Sequence, residues 1–170
     1  MPHSRPQPVI QVLVLGVGNT LMADDGAGVA AVRDLAQEAG WPEGVRFMDI
    51  GTLGPRALPY LEGVRGLVVV DAVAGGNAPG TVVRVDGHAL ARQDRAGSAH
   101  DMGVADLLSQ AAAVGWSPRR VVVIGVEPSR VALEGEQLSP EVRSRLGELK
   151  RMVREEIRTM LRIGSPRTAS

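Results

Sequence analysis

The chain has no cysteine. That excludes a disulfide framework, a thiolate metal site and a cysteine nucleophile, so any metal it handles must meet imidazole or carboxylate. Aromatic residues make up 2% of the sequence, which leaves few platforms for stacking bases or sugars and hands the core to aliphatic side chains. Neither sign of charge is in excess. Lys plus Arg and Asp plus Glu are 19 each, so no long-range field draws the protein to nucleic acid or to an acidic membrane surface. Also missing are a run of the roughly 18 apolar residues that span a membrane and, in the polar, proline-bearing N-terminus, the apolar stretch of a signal peptide. The expectation is a soluble, cytoplasmic protein with no nucleic-acid or membrane partner. It should be a single domain over residues 1–170, with flexible tails at 1–8 and 165–170.

What is present is an alternation of aliphatic runs and helical periodicity. Residues 9–15 (Val-Ile-Gln-Val-Leu-Val-Leu) read as a buried strand ending at Gly16, and residues 27–39 as a helix closed by Gly40. A second strand is expected at 45–50, a short helix at 55–61 opened by Pro55, and a third strand at 66–73 that is apolar apart from Asp71. Pro79-Gly80 turns the chain into a short strand at 81–85, reached without a helical crossover and therefore an antiparallel edge. Residues 87–99 lack periodicity and read as a flexible loop. After them come a helix at 101–114, a strand at 120–126, and a long helix capped by Ser139 that runs to Gly164. Together these predict an α/β fold: a twisted, mostly parallel five-stranded sheet with helices on both faces and one antiparallel edge strand. In a 2-1-3 order of the first three strands, ligands meet the crevice beyond the carboxyl ends of strands one and three.

Two segments occupy that crevice. The loop after strand one, Gly16-Val17-Gly18-Asn19-Thr20-Leu21-Met22-Ala23-Asp24-Asp25-Gly26-Ala27-Gly28, has the paired glycines of a dinucleotide fingerprint. Its third glycine is replaced by Leu21, however, and two aspartates stand where a pyrophosphate would dock. A dinucleotide-binding module, with Asp49 as the ribose acid, is thus a weaker alternative. Carboxylates suit a cation better. Asp25, and Asp71 within an apolar strand where an acid is costly without a partner, repel one another unless a metal, a proton or a cationic side chain lies between them. His100 offers a third ligand, and two carboxylates with one imidazole leave an open coordination site suited to nickel or zinc. Against this stand ordinary capping roles for Asp25 and His100. His3 and His88 are weaker candidates, and Ser98 near His100 gives no triad spacing. The sequence holds no H-E-x-x-H, no G-x-S-x-G and no phosphate-binding G-x-x-x-x-G-K-[ST].

The segment from Gly16 to Asp25 resembles the G-x-G-N-x-L-x-x-D-[DE] opening of the hydrogenase maturation endopeptidases. Asp49-Ile50-Gly51-Thr52 with Gly54, Val70-Asp71-Ala72 followed by Ala78-Pro79-Gly80-Thr81, Ser98-Ala99-His100-Asp101-Met102-Gly103 and Gly125-Val126-Glu127-Pro128 are similar to further motifs of that family, in the same order. The resemblance implies that Asp25, Asp71 and His100 match the family's metal-binding acid, acid and histidine, with no general base assigned among them. It implies the substrate as well: the precursor of a nickel-iron hydrogenase large subunit, cut near its C-terminus once nickel is in place. Nickel is then carried by the substrate, with zinc or cadmium able to substitute. Asp24, Asp49 and Thr52 receive no role beyond shaping the site. A nickel-binding chaperone that does not cut is the second alternative.

Overall fold

The computed structural model describes residues 10–92 and 99–164. Its centre is a five-stranded sheet built from β1 (Val12–Val17), β2 (Val45–Gly51), β3 (Gly66–Ala72), β4 (Val82–Asp86) and β5 (Arg120–Val126), in the order β2-β1-β3-β5-β4. Four strands are parallel and β4 pairs antiparallel to β5, as the short Pro79-Gly80 connection predicts. β1 and β3 are buried along their whole length, which explains why they read as unbroken aliphatic runs.

Side-chain alternation divides the core. Val12 and Val14 of β1 and Val68 and Val70 of β3 face α1 (Ala27–Ala36) and the C-terminal helices. Leu13, Leu15 and Val17, with Leu67 and Val69, face the opposite layer. That layer consists of a 3-10 helix (Gly54–Leu61), α2 (Gly87–Arg92) and α3 (Ala99–Ala113). Asp71 shares the parity of Leu67 and Val69 and therefore belongs to this second face. Among the described residues no helix is long and apolar enough to cross a membrane.

Several expected boundaries shift, each for a local reason. β1 begins at Val12, because the Gln11 and Val12 amides both donate to Gly44 O and the pairing with β2 starts there. α1 stops at Ala36, short of the expected 39, because the Trp41 indole folds back and donates to Leu35 O at 2.8 Å. Residues 54–61 form a tight 3-10 helix, consistent with Pro59 inside it lacking an N–H. The loop expected at 87–99 is helical over Gly87–Arg92, opened by the Ala89 amide on Asp86 Oδ1; its remainder through residue 98 lies outside the described residues. The last helix is two: α4 (Pro140–Arg143), capped by Ser139 as expected, and α5 (Leu146–Gly164). At the break the Ser144 hydroxyl donates to Glu141 O.

One buried charge fastens α5 to the sheet. Glu156 is 6% exposed and accepts from Arg84 Nε of β4 at 2.9 Å and Arg120 Nε of β5 at 2.8 Å. Burial pushes its carboxyl up, but the two guanidinium groups outweigh this and hold it below the ordinary value of 4.5. A carboxylate depressed in the folded state contributes stability that is complete above its unfolded pKa and lost as pH falls through the folded one. Thermal unfolding followed against pH is therefore expected to show a steeper fall below about pH 4.5 in the native protein than in Glu156→Gln. At pH 7 that variant should be less stable by about 2 kcal/mol.

Candidate active site

The site is assembled at the carboxyl ends of β1 and β3, and glycines decide its geometry. A Cβ on Gly28, in the first turn of α1, would lie 2.1 Å from Val70 O and 2.8 Å from Val17 O. Only glycine lets the helix start so close to both strands. Gly18 has φ +123°, and a Cβ there would meet Asp25 O at 1.8 Å. Between these contacts the chain makes a 3-10 turn over Ala23–Gly26 that rests against β3.

The adjacent aspartates of this turn are sorted into different tasks. Asp24 is fully buried and accepts three backbone N–H groups: Ser129 at 2.9 Å, Arg130 at 2.9 Å and Ser139 at 2.7 Å. The Asp24 amide in turn donates to Arg130 O, and Gly135 N to Leu21 O, so Asp24 fastens the β1 loop to the segment that leads into α4. Asp25 is 4% exposed, and its Oδ2 accepts the Asn19 amide at 2.7 Å. It is not the cap of α1, a position held by Gly26. Asp71 is 1% exposed, with Oδ1 on the Ala72 amide at 2.8 Å. The structure thus brings two buried carboxylates to the ends of neighbouring parallel strands, on elements in contact with each other.

The third candidate, His100, has its backbone in the first turn of α3. Its side chain lies outside the described residues. The same end of α3 reaches the sheet's carboxyl edge, since Gly103 and Gly54 approach so that a Cβ on either would lie within 3.7 Å of the other's Cα. Among the described residues no group of three His, Asp or Glu side chains forms a metal cluster. His88 lies in α2, beyond Asp86, which pairs with Val122 near the opposite end of the sheet; His3 and Ser98 lie outside the described residues.

Two further acids shape the surroundings. Asp49 pairs with Arg33 at 2.9 Å and accepts the Gly51 amide at 2.9 Å, at the wall of a polar cleft that also includes Asn19 and Thr52. Glu127, just past β5, belongs to the Gly125-Val126-Glu127-Pro128 motif, which by itself assigns it no site role. It is 6% exposed and receives the amides of Gly75, Gly76 and Asn77 with the Asn77 side chain, all within 3.2 Å. Burial raises its pKa, but these donors prevail and hold the carboxyl below 4.5. It ties down the loop that leaves Asp71. The Gly75-Gly76 pair beside an acid at a strand end was the available signal.

Among the glycines of the β1 loop, Gly18 and Gly28 lie against the protein's own backbone, at Asp25 O and at Val70 O and Val17 O. A family model described as hydrogenase maturation protease matches residues 29–161. The hydrogenase expression/formation protein HupD of Rhodobacter capsulatus is 36% identical over 162 residues, covering 94% of this chain and 74% of that protein. The hydrogenase 2 maturation protease of Escherichia coli strain K12 is 36% identical over 121 residues, covering 70% and 74%. Among solved structures, the E. coli hydrogenase maturating endopeptidase HybD superposes with a TM-score of 0.78 at 30% identity, covering 88% of this chain and 93% of that one. The [NiFe] hydrogenase maturation protease HybD from Thermococcus kodakarensis gives 0.72 at 31%, covering 86% and 98%. Sheet order and these relatives define an endopeptidase of the open-sheet α/β class. The chain belongs to the hydrogenase maturation protease family.

The division between Asp24 and its neighbours can be measured. Asp24→Ala removes the acceptor of three backbone N–H groups, of which that of Ser139 is buried, and should cost more than about 2 kcal/mol, whereas Asp49→Ala loses a solvent-facing ion pair and should cost under about 1 kcal/mol. Urea denaturation of both variants tests this, and equal losses would contradict the assignment of Asp24 as the lock.

Proposed function

We propose that this endopeptidase removes the C-terminal extension from the nickel-loaded precursor of a nickel-iron hydrogenase large subunit, and that Asp25, Asp71 and His100 engage the nickel the substrate carries. The observation that carries the proposal is the pair of buried carboxylates at the ends of β1 and β3, in a chain whose relatives are named as hydrogenase maturation proteases. Two acids in such a position favour a cation at the mouth of the crevice. A substrate that brings its own metal would complete the site on arrival, and a precursor without nickel would lack the docking point.

Docking through the metal places the scissile peptide in the crevice, which converts an encounter into an oriented complex. The chemistry available there is polarisation of the peptide carbonyl by the substrate's cation and removal of a proton from water by a carboxylate. Zinc or cadmium could replace nickel as a probe of the ligand set, because imidazole and carboxylate accept all three.

Incubation of purified protein with nickel-loaded and nickel-free precursor, followed by intact mass, tests the proposal: the loaded form alone should lose its extension. Asp71→Asn keeps the acceptor oxygen for the Ala72 amide but removes the charge, and should slow processing by about 100-fold or more with little change in melting temperature. A variant that trims the loaded precursor at the native rate would refute the role given to Asp71.

A further inference from the structure

The loop that leaves Asp71 is built around one acid. After Ala72 the chain extends its pairing with β5 by one residue, the Val73 amide donating to Val126 O at 3.0 Å, and then crosses to β4. Because β5 lies between β3 and β4 in the sheet, this crossing passes over the carboxyl end of β5, where Glu127 stands. The Glu127 backbone holds the far side of the loop: its amide donates to Thr81 O and its carbonyl accepts the Gly80 amide, both at 2.8 Å. Its buried carboxylate holds the near side. Oε2 accepts the Gly75 amide at 2.8 Å and the Asn77 amide at 3.1 Å, and Oε1 the Gly76 amide at 3.2 Å. Three consecutive N–H groups turned onto one anion form a backbone nest, in which Gly76, at φ +79°, is the left-handed residue.

The nest dictates what the loop shows to solvent. A trans peptide sets its C=O opposite its N–H. With the N–H groups of Gly75, Gly76 and Asn77 turned onto Glu127, the carbonyls of Ala74, Gly75 and Gly76 are turned away from the end of the sheet. Residues 74–79 are exposed, and among the described residues nothing donates to these three oxygens. They form a row of unpaired acceptors that begins three residues past Asp71, within about 10 Å of it along the chain.

We propose that this row is a docking ledge for the main chain of the peptide being cut, accepting N–H groups of an extended substrate segment beside the scissile bond, and that Glu127 is the positioning residue that turns it outward. This rests on the endopeptidase reading above and adds to it how the segment is gripped. An extended peptide advances about 3.3 Å per residue, so a segment with its reactive bond at Asp71 passes the ledge within about three residues. Pairing to exposed backbone acceptors fixes an extended chain without reading its side chains. Asp71 itself is held by the pairing of β3 with β5, which runs on through Ala72 and Val126. The ledge therefore governs binding of the segment, and the charge at Asp71 is left in place.

The test is kinetic, with the nickel-loaded precursor as substrate. Glu127→Ala empties the nest and should raise KM about 10-fold, the equivalent of one or two hydrogen bonds, with kcat little changed. Added acetate supplies a carboxylate to the emptied nest and should return KM toward the native value, whereas chloride at equal ionic strength should not. Glu127→Gln fills the nest with a neutral amide; its KM should rise as well and should not respond to acetate, and it serves as the test where Glu127→Ala does not fold. Proline placed in turn at the precursor positions flanking the cut removes one N–H each. At least one such proline should raise KM about 10-fold with the native protein and much less with Glu127→Ala. A folded Glu127→Ala protein with native KM, a rise that acetate leaves in place, or equal effects of every proline in the two proteins would overturn the ledge and leave the endopeptidase reading intact. Failure of the native protein to cut any loaded precursor would overturn both.

Discussion

The backbone contact between Gly28 and the ends of β1 and β3 is the constraint on which the rest depends. With a Cβ excluded by Val70 O and Val17 O, the helix that follows β1 can begin only where its first turn touches both strands. The chain between Gly18 and Gly28 must then fold into a small volume. Gly18 gives way to the Asp25 carbonyl, and the Ala23–Gly26 turn is pressed against β3. Asp25 is buried as a result of this packing, although a free carboxylate at the start of a helix would gain more from water.

Four buried acids, Asp24, Asp25, Asp71 and Glu127, surround this end of the sheet. Asp24 and Glu127 each receive three backbone N–H groups, a set that stabilises a fixed charge and fixes the loops on either side of the crevice. One anchors the loop after β1, the other the loop after β3. Asp25 accepts the Asn19 backbone amide and Asp71 the Ala72 amide, and both sit between those anchors. These bonds tie the loops on both sides of the crevice to the end of the sheet.

The sheet was legible because each parallel strand carries an unbroken aliphatic run and each crossover a helical period. The antiparallel edge and the Ser139 cap follow from local patterns, and the order of the first three strands matches the one assumed for a doubly wound sheet. The break between α4 and α5 was invisible to periodicity. Val142, Leu146 and Leu149 keep steps of four and three across it, so the apolar stripe is continuous where the hydrogen bonds are not. Helix α2 escaped because its composition is mixed and its start depends on the side chain of Asp86. Of the site, the positions of Asp25 and Asp71 on facing strand ends could be inferred from topology. The role of Asp24 could not, because its three donors come from residues far along the chain, and nothing within ten residues of it marks the difference from Asp25.

That distance has a consequence for how the protein is made. The donors to Asp24 lie 105, 106 and 115 residues downstream, so a chain leaving the ribosome can pair β1 with β2 and β3 long before its first loop has the partners that fix it. Closing so long a loop is slow and comes late. The crevice is therefore completed only after the segment leading into α4 has emerged, and partial chains that already carry both Asp25 and Asp71 lack the frame that holds Asp25 in place.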